Sequence, residues 1–289
     1  MQDTNACLVL EGGALRGVYT AGVQGSLHRA GFTPRCLIGT SAGAINGMNF
    51  LSGQPERSYR IDYRYADDPN FMGPKSLVTQ GQVFSFKYMF GAVNDWYPLD
   101  EAAFLASPIR YMAVSTDLET GQPAYLEKGV CGDIFEALKA TSSMPGLSTP
   151  VLVDGRRYLD GGPSMPVAYQ KALDEGCGPV ILVLTRQKGY RKKPFSPTLQ
   201  RYFRFRYRKY PQFVATMLSS PDRYNRMMDE IDGMERSGRL FVIRPQSPVT
   251  VDRMEKNKEK LRALFIQGRK EAAQRLPDLE TYLAQFPPR

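Results

Sequence analysis

Three short stretches carry the residues best suited to chemistry: EGGALRG at 11–17, GTSAG at 39–43 and YLDGGP at 158–163. A serine between Gly39 and Gly43, after the apolar CLI and before the helix-like AGAINGMNF, has the strand–turn–helix setting of a nucleophile elbow. Such a turn presents the Ser41 Oγ at its tip. Glycines on either side remove the Cβ atoms that would collide there. The helix N-terminus that follows adds free N–H groups and a positive dipole end. The competing reading is a glycine-rich βα turn with a capping serine. EGGALRG also follows an apolar run and opens a helix, so its amides are free to receive an oxyanion or a phosphate. A nucleotide loop is the weaker alternative, because the stretch has no GKS or GKT ending and Ala14 interrupts a GxGxxG pattern.

A nucleophilic serine needs a base, and the chain has a single histidine, His28. His28 precedes Ser41, near the far end of the helix that the glycine loop opens. A helix of that length carries it roughly 15–20 Å away from the loop. A conventional triad is therefore excluded, and a carboxylate must accept the proton. In VLVDGRRYLDGG the pair Asp154-Gly155 is explained as a hairpin turn. Asp160-Gly161-Gly162 has no returning strand and is read as leading into a helix opened by Pro166, so Asp160 is the first candidate. A turn-forming or helix-capping aspartate is its alternative, and Asp117 in STDLETG is the runner-up. Partial burial that raised the carboxyl pKa would make it a better base.

The 289 residues are 42% hydrophobic and carry a net charge of +9. No acidic residue occurs from Gly176 to Pro221, a window that holds RQKGYRKKP (186–194) and RYFRFRYRKY (201–210). Basic and aromatic residues interleaved in this way attract polyanions, including phospholipid headgroups, membrane surfaces and nucleic acid. The same stretch also reads as a solvated basic helix. Cys7, Cys36, Cys131 and Cys177 show no metal-ligand spacing and read as reduced, mostly buried residues. No metal or cofactor is expected. Without a signal-like N-terminus or an apolar run near ~18 residues, the expectation is a cytoplasmic protein able to meet a membrane surface.

The elements that must position these residues alternate as strands and helices, which predicts a parallel sheet with crossover helices. Strands are expected at 6–11, 35–39, 109–118, 122–127, on both arms of the 151–160 hairpin, and at 179–185 and 240–244. Helices are expected at 17–31, 42–53, 132–140, from Pro166 to Glu175, from Pro221 (capped by Ser220) to Ser237, and from Lys256 to Arg275. Residues 54–106 predict short helices over one sheet edge. Among them Phe71, Met72, Phe84, Phe86, Met89, Phe90 and Trp96 could line an acyl channel or be plain core.

The glycine loop, the elbow and the Asp-Gly-Gly, in that order, together with STDLETG (115–121) and SSMPG (142–146), resemble the patatin-like phospholipase family over most of residues 6–190. The resemblance implies a three-layer α/β/α sandwich with a mostly parallel sheet. It makes residues 1–190 the catalytic core and 191–289 a basic, helical C-terminal layer. It implies acyl-ester hydrolysis by a Ser41–Asp160 dyad on a fatty-acyl ester or phospholipid substrate. Gly12, Gly13 and Ala14 would supply oxyanion amides, with Arg16 bracing their loop and Gly39, Gly43, Gly161 and Gly162 supporting the turns. Glu11 stands where many members have Asp, and Ala14 where a third glycine is common. The basic stretch at 186–209 could dock anionic lipid surfaces. The alternative function is a non-enzymatic polyanion-, RNA- or membrane-binding scaffold. No RNP-type sequence supports specific nucleic-acid recognition.

Overall fold

The structure, a computed structural model, describes residues 4–80, 83–85, 88, 91–176 and 178–286; Phe86, Met89, Phe90 and Cys177 lie outside these. The apolar run near the start forms β1 (Thr4–Leu10). Its alternation divides two cores, with Ala6, Leu8 and Leu10 facing one and Cys7 and Val9 the other. Burial on both faces is what a parallel strand beneath crossover helices requires. β2 (Pro34–Thr40) and β7 (Val180–Val183) flank β1 in parallel, and β8 (Phe241–Ile243) extends the sheet beyond β7. On the other flank β3 (Arg110–Asp117) runs parallel to β2. Antiparallel β4 (Pro123–Glu127), β5 (Val151–Val153) and β6 (Arg156–Asp160) complete the sheet. The hairpin turns on Asp154 and Gly155, both at positive φ.

A 3-10 turn at Ala14–Arg16 leads into α1 (Gly17–Arg29), and β2 into α2 (Ala42–Leu51). Next come α3 (Arg57–Tyr65) and the short α4 (Pro74–Gln80), α5 (Ala92–Trp96) and α6 (Glu101–Ala106). They are followed by α7 (Ile134–Thr141), α8 (Tyr169–Asp174), α9 (Pro197–Arg206), α10 (Pro211–Arg236) and α11 (Lys258–Ala284). α1, α2 and α11 pack their apolar residues on one face of the sheet, through Val18, Met48 and Leu261 among others. α8 and α10 cover the other face with Tyr169, Tyr224 and Ile231. The result is a three-layer α/β/α sandwich around a mostly parallel sheet.

Three helix boundaries differ from the sequence expectation. The helix expected from Pro166 starts at Tyr169, because the segment before it is held open by other partners. The Met165 carbonyl accepts from the Thr40 hydroxyl (2.9 Å) and the Pro166 carbonyl from the Gly12 amide (3.3 Å). The helix expected from Pro221 starts ten residues earlier, at Pro211, and passes through Pro221. Its buried stripe of Phe213, Met217, Tyr224 and Ile231 is continuous across that position, so packing overrides the missing amide. Arg223 donates to the Thr216 carbonyl (2.8 Å) within the same stretch. The last helix runs on to Ala284 through Pro277, with Asn257 capping its first turn.

Candidate active site

Ser41 sits between the end of β2 and the start of α2 with φ 55° and ψ −126°. That backbone conformation is one non-glycine residues rarely adopt, and it costs about 1–3 kcal/mol. The surroundings enforce it. A Cβ on Gly43 would lie 2.4 Å from the Leu10 carbonyl oxygen, and one on Gly39 would lie 2.6 Å from the Ala44 nitrogen. The elbow thus packs directly onto the end of β1. The Ser41 amide donates to Thr141 Oγ1 (2.9 Å), whose hydroxyl in turn donates to the Val114 carbonyl. Thr141, at the end of α7, is a support that no local motif announced.

Strand register brings Asp160 to the serine. β2 pairs with β3 as far as Thr40 opposite Val114, and β6 pairs with β3 from Asp160 opposite Ser115. β4 occupies the other edge of β3 over Met112–Thr116, so β6 takes over from β2 on the same edge. The residue after Thr40 and the last residue of β6 therefore meet end to end. Gly161 makes the junction possible, since a Cβ there would lie 2.3 Å from the Val114 carbonyl oxygen. Thr116 Oγ1 donates to the Asp160 carbonyl (2.8 Å), and the Gly162 amide donates to Asp160 Oδ1 (2.7 Å). Burial pushes the Asp160 carboxyl above the usual carboxylate range; hydrogen bonds from the Ser41 side chain and the Gly162 amide pull back part of that shift, and the charges of Arg253 and Lys192 add to the pull. Ser41 and Asp160 are both more than nine-tenths buried.

The glycine loop lies beside the elbow. A Cβ on Gly12 would lie 3.1 Å from the Ser41 Cβ. The Gly12 amide is engaged by the Pro166 carbonyl, which removes it from the expected set of free donors. The amides of Gly13 and Ala14 have no partner among the described residues, and neither does that of Ala42 at the start of α2. Ala42 was not foreseen; its position directly after an elbow serine is the signal that identifies it. The loop is anchored by Glu11. Its buried carboxylate accepts from the Thr185 amide (2.5 Å), the Thr185 hydroxyl (3.0 Å) and the Tyr224 hydroxyl of α10 (3.0 Å). The Arg16 guanidinium makes no hydrogen bond among the described residues and lines a cavity, where it interacts favourably with the Glu11 charge. The turn is held by its backbone, with the Leu15 amide on the Arg253 carbonyl and the Arg16 amide on the Gly13 carbonyl.

Ser41, Ala14 and Met144 line two cavities at once. One is narrow, about 80 Å³, and reaches among Leu15, Ile45, Met48, Ile61, Phe71 and Phe84. Asp62 faces it, with its carboxyl pushed up to about 8 by burial, and Arg57 lines it as a cation held by the Tyr97 carbonyl and the Asn49 and Asn94 side chains. The other is wide, about 590 Å³, and contains Asp160 together with Arg16, Arg186, Lys192, Lys193 and Arg253. Of the aromatic residues expected along an acyl channel, Phe71 and Phe84 line the narrow cavity. Met72 is buried in the main core. Trp96 is exposed, next to His28 in a surface depression.

His28 stands exposed on the last turn of α1, edge-on to Phe50. Asp117 is committed to its own turn: it accepts from the Glu119 and Thr120 amides and pairs with Arg156 at 2.7 Å. Among the described residues no group of His, Cys, Asp and Glu could hold a metal ion, and no helix is long and apolar enough to cross a membrane.

Comparison with known proteins gives matches over the same region. A family model described as patatin-like phospholipase matches residues 8–170, and one described as a domain of unknown function matches residues 210–284. YjjU of Escherichia coli, itself uncharacterized, is 30% identical over 64% of this chain and 53% of its own length. The NTE family protein Rv1063c of Mycobacterium tuberculosis, also uncharacterized, is 27% identical over 56% of this chain and 45% of its own. Lysophospholipase NTE1 of Candida albicans is 28% identical over 57% of this chain and 12% of its own. The chain thus spans about half the length of the bacterial relatives it matches. The crystal structure of VipD from Legionella pneumophila aligns over 95% of this chain and 67% of its own, at a TM-score of 0.49 and 12% identity.

Proposed function

The chain belongs to the patatin-like phospholipase family, and from that membership we propose that it hydrolyses lipid acyl esters with Ser41 as nucleophile and Asp160 as general base and acid. Asp160 accepts the Ser41 proton as Oγ attacks the ester carbonyl. The amides of Gly13, Ala14 and Ala42 receive the negative oxygen; such a donor is worth ~3–4 kcal/mol in a transition state. The tetrahedral intermediate collapses, Asp160 gives the proton to the leaving alcohol, and an acyl-serine remains. A water molecule then loses a proton to Asp160 as it attacks the acyl carbon. Collapse releases the fatty acid and returns the proton to Ser41 Oγ.

The observation that carries this reading is the buried Ser41–Asp160 pair on a strained elbow, placed where an apolar cavity and a cationic cavity meet. The apolar side suits an acyl chain and the cationic side a polar headgroup. The basic stretch that suggested a polyanion-binding scaffold turns Arg186 and Lys192 into the same cavity, which favours an enzymatic use for them. α9 lines the rim with Leu199 and Tyr202 and exposes Phe205, the features of a face that meets an anionic lipid surface. The test is hydrolysis of a panel of acyl esters. Ser41→Ala should lower kcat/KM by at least about 10³-fold while keeping the fold; a variant that retains activity would refute the assignment.

A further inference from the structure

The wide cavity holds more positive charge than the proposed chemistry uses. Five cations line it, Arg16, Arg186, Lys192, Lys193 and Arg253, against two carboxylates, Glu11 and Asp160. Both carboxylates are already engaged, Glu11 by Thr185 and Tyr224 and Asp160 by Ser41 and Gly162. Arg16, Arg186, Lys192 and Arg253 make no ion pair among the described residues. Arg16 is 7% exposed with its Nε unpartnered, and the Arg186 Nε is likewise buried and unpartnered. Arg16 is buried, Arg186 and Lys192 are half-buried, and Lys193 and Arg253 stand at the exposed rim; like charges gathered around one space without an ion pair to offset them suit an anion.

We infer that this cavity is a phosphate-recognising headgroup subsite, selecting acyl esters whose headgroup carries net negative charge over zwitterionic and uncharged ones. The inference rests on the hydrolase reading for its position next to Ser41 and adds the chemical class of the leaving group. A phosphate oxygen set among the guanidinium groups of Arg16, Arg186 and Arg253 can accept charge-assisted hydrogen bonds from them, Arg186 keeping its Nη1 on the Val249 carbonyl (2.9 Å) and offering its unpartnered Nε. A choline headgroup would bring a quaternary ammonium among like charges. The two aromatic faces nearest the cations, Tyr190 and Tyr224, are already taken, since Arg186 lies 4.5 Å from the Tyr190 ring centroid and Lys192 lies 3.9 Å from that of Tyr224. An uncharged acylglycerol would leave the cations as they are. The cations come from separate parts of the chain, the glycine-loop turn, the segment after β7 and the loop before α11, so no single motif displays them.

Two measurements test this. In the first, calorimetric titration of the Ser41→Ala protein with sn-glycerol 3-phosphate, glycerol and inorganic phosphate reads the subsite without turnover. Glycerol 3-phosphate should bind and glycerol should not, and Lys192→Met and Arg253→Gln should each weaken binding about tenfold, the scale of one charge-assisted contact. Absence of glycerol 3-phosphate binding would overturn the inference even if the wild type cleaves esters. Binding with no ester cleaved by the wild type would leave the phosphate site standing and remove the hydrolase reading. In the second, kcat/KM is compared for one acyl chain on glycerol 3-phosphate, phosphatidylglycerol-type, phosphocholine and glycerol headgroups. The first two should exceed the last two by about tenfold or more, and Arg253→Gln should narrow that gap. Equal rates across all four, or inorganic phosphate binding as tightly as glycerol 3-phosphate with no preference among the esters, would overturn the assignment to a headgroup.

Discussion

Asp160 works against its own surroundings, and that has a measurable sign. Burial raises its carboxyl above the usual range, so the folded protein holds the proton more tightly than the unfolded chain. The stability this gives is complete below the ordinary aspartate range and is lost as pH rises through the raised folded value. The ionised carboxylate is therefore a cost to the fold, though it is the form a base requires. Two outcomes are expected. The wild-type kcat/KM should rise with pH through an inflection above the ~4 of a free aspartate. Asp160→Asn should lose at least about a hundredfold in kcat/KM yet melt at neutral pH no lower than the wild type. A flat profile above pH 4, or an Asn variant that melts well below the wild type, would contradict this. At this scale the sequence was most legible where one short motif holds the whole geometry. Ser41 and Asp160 each sit in a glycine-flanked turn whose chemistry is local. Whether the Gly12 amide is free depends on Pro166, and the support under Ser41 comes from Thr141, both far along the chain and invisible in either motif.

The contact between α1 and α11 shows what the elements add. A Cβ on Gly22 would lie 2.3 Å from the Phe265 carbonyl oxygen, and one on Gly268 would lie 2.3 Å from that of Tyr19. The two helices touch backbone to backbone, each through a glycine set against the other. Gly233 in α10 is the opposite case, with only the end of Arg236 within 4 Å of its virtual Cβ. The same change should therefore act with opposite signs. Gly268→Ala should cost about 1–3 kcal/mol and lower the melting temperature by several degrees. Gly233→Ala should gain about 0.5–1 kcal/mol from helix propensity alone. Thermal melts of the two variants check this, and a stabilised Gly268→Ala would show that the helices sit further apart. Strand periodicity was readable because burial on both faces of β1, β2 and β7 leaves unbroken apolar runs. Helix boundaries were harder to read wherever tertiary contacts outweighed a proline. Pro221 looked like a start, but the buried stripe from Phe213 to Ile231 carries the helix straight through it.

Across the whole molecule, the C-terminal part of the chain is continuous with the sheet and with the site. β8 lies against β7, α11 lies against α1, Tyr224 holds Glu11, and Arg253 lines the cavity that contains Asp160. Its composition announced charge and aromaticity, but not that Lys192 and Arg186 point inward while Phe205 on α9 stays 70% exposed. On the proposed docking through α9, the protein should co-float with vesicles containing anionic lipid and release them as salt is raised. Phe205→Ser should weaken that partition about tenfold, the scale of one buried aromatic side chain. Equal binding to purely zwitterionic vesicles, or no effect of the substitution, would remove α9 as the docking face.

On the proposed function, Ser41 is a nucleophile activated by Asp160. The most direct test is the rate of covalent labelling by a fluorophosphonate, followed by intact mass and located by peptide mapping. One adduct is expected, on Ser41, absent in Ser41→Ala and slowed at least about a hundredfold in Asp160→Asn. Labelling that persists in Ser41→Ala, or that is as fast in Asp160→Asn as in the wild type, would contradict it.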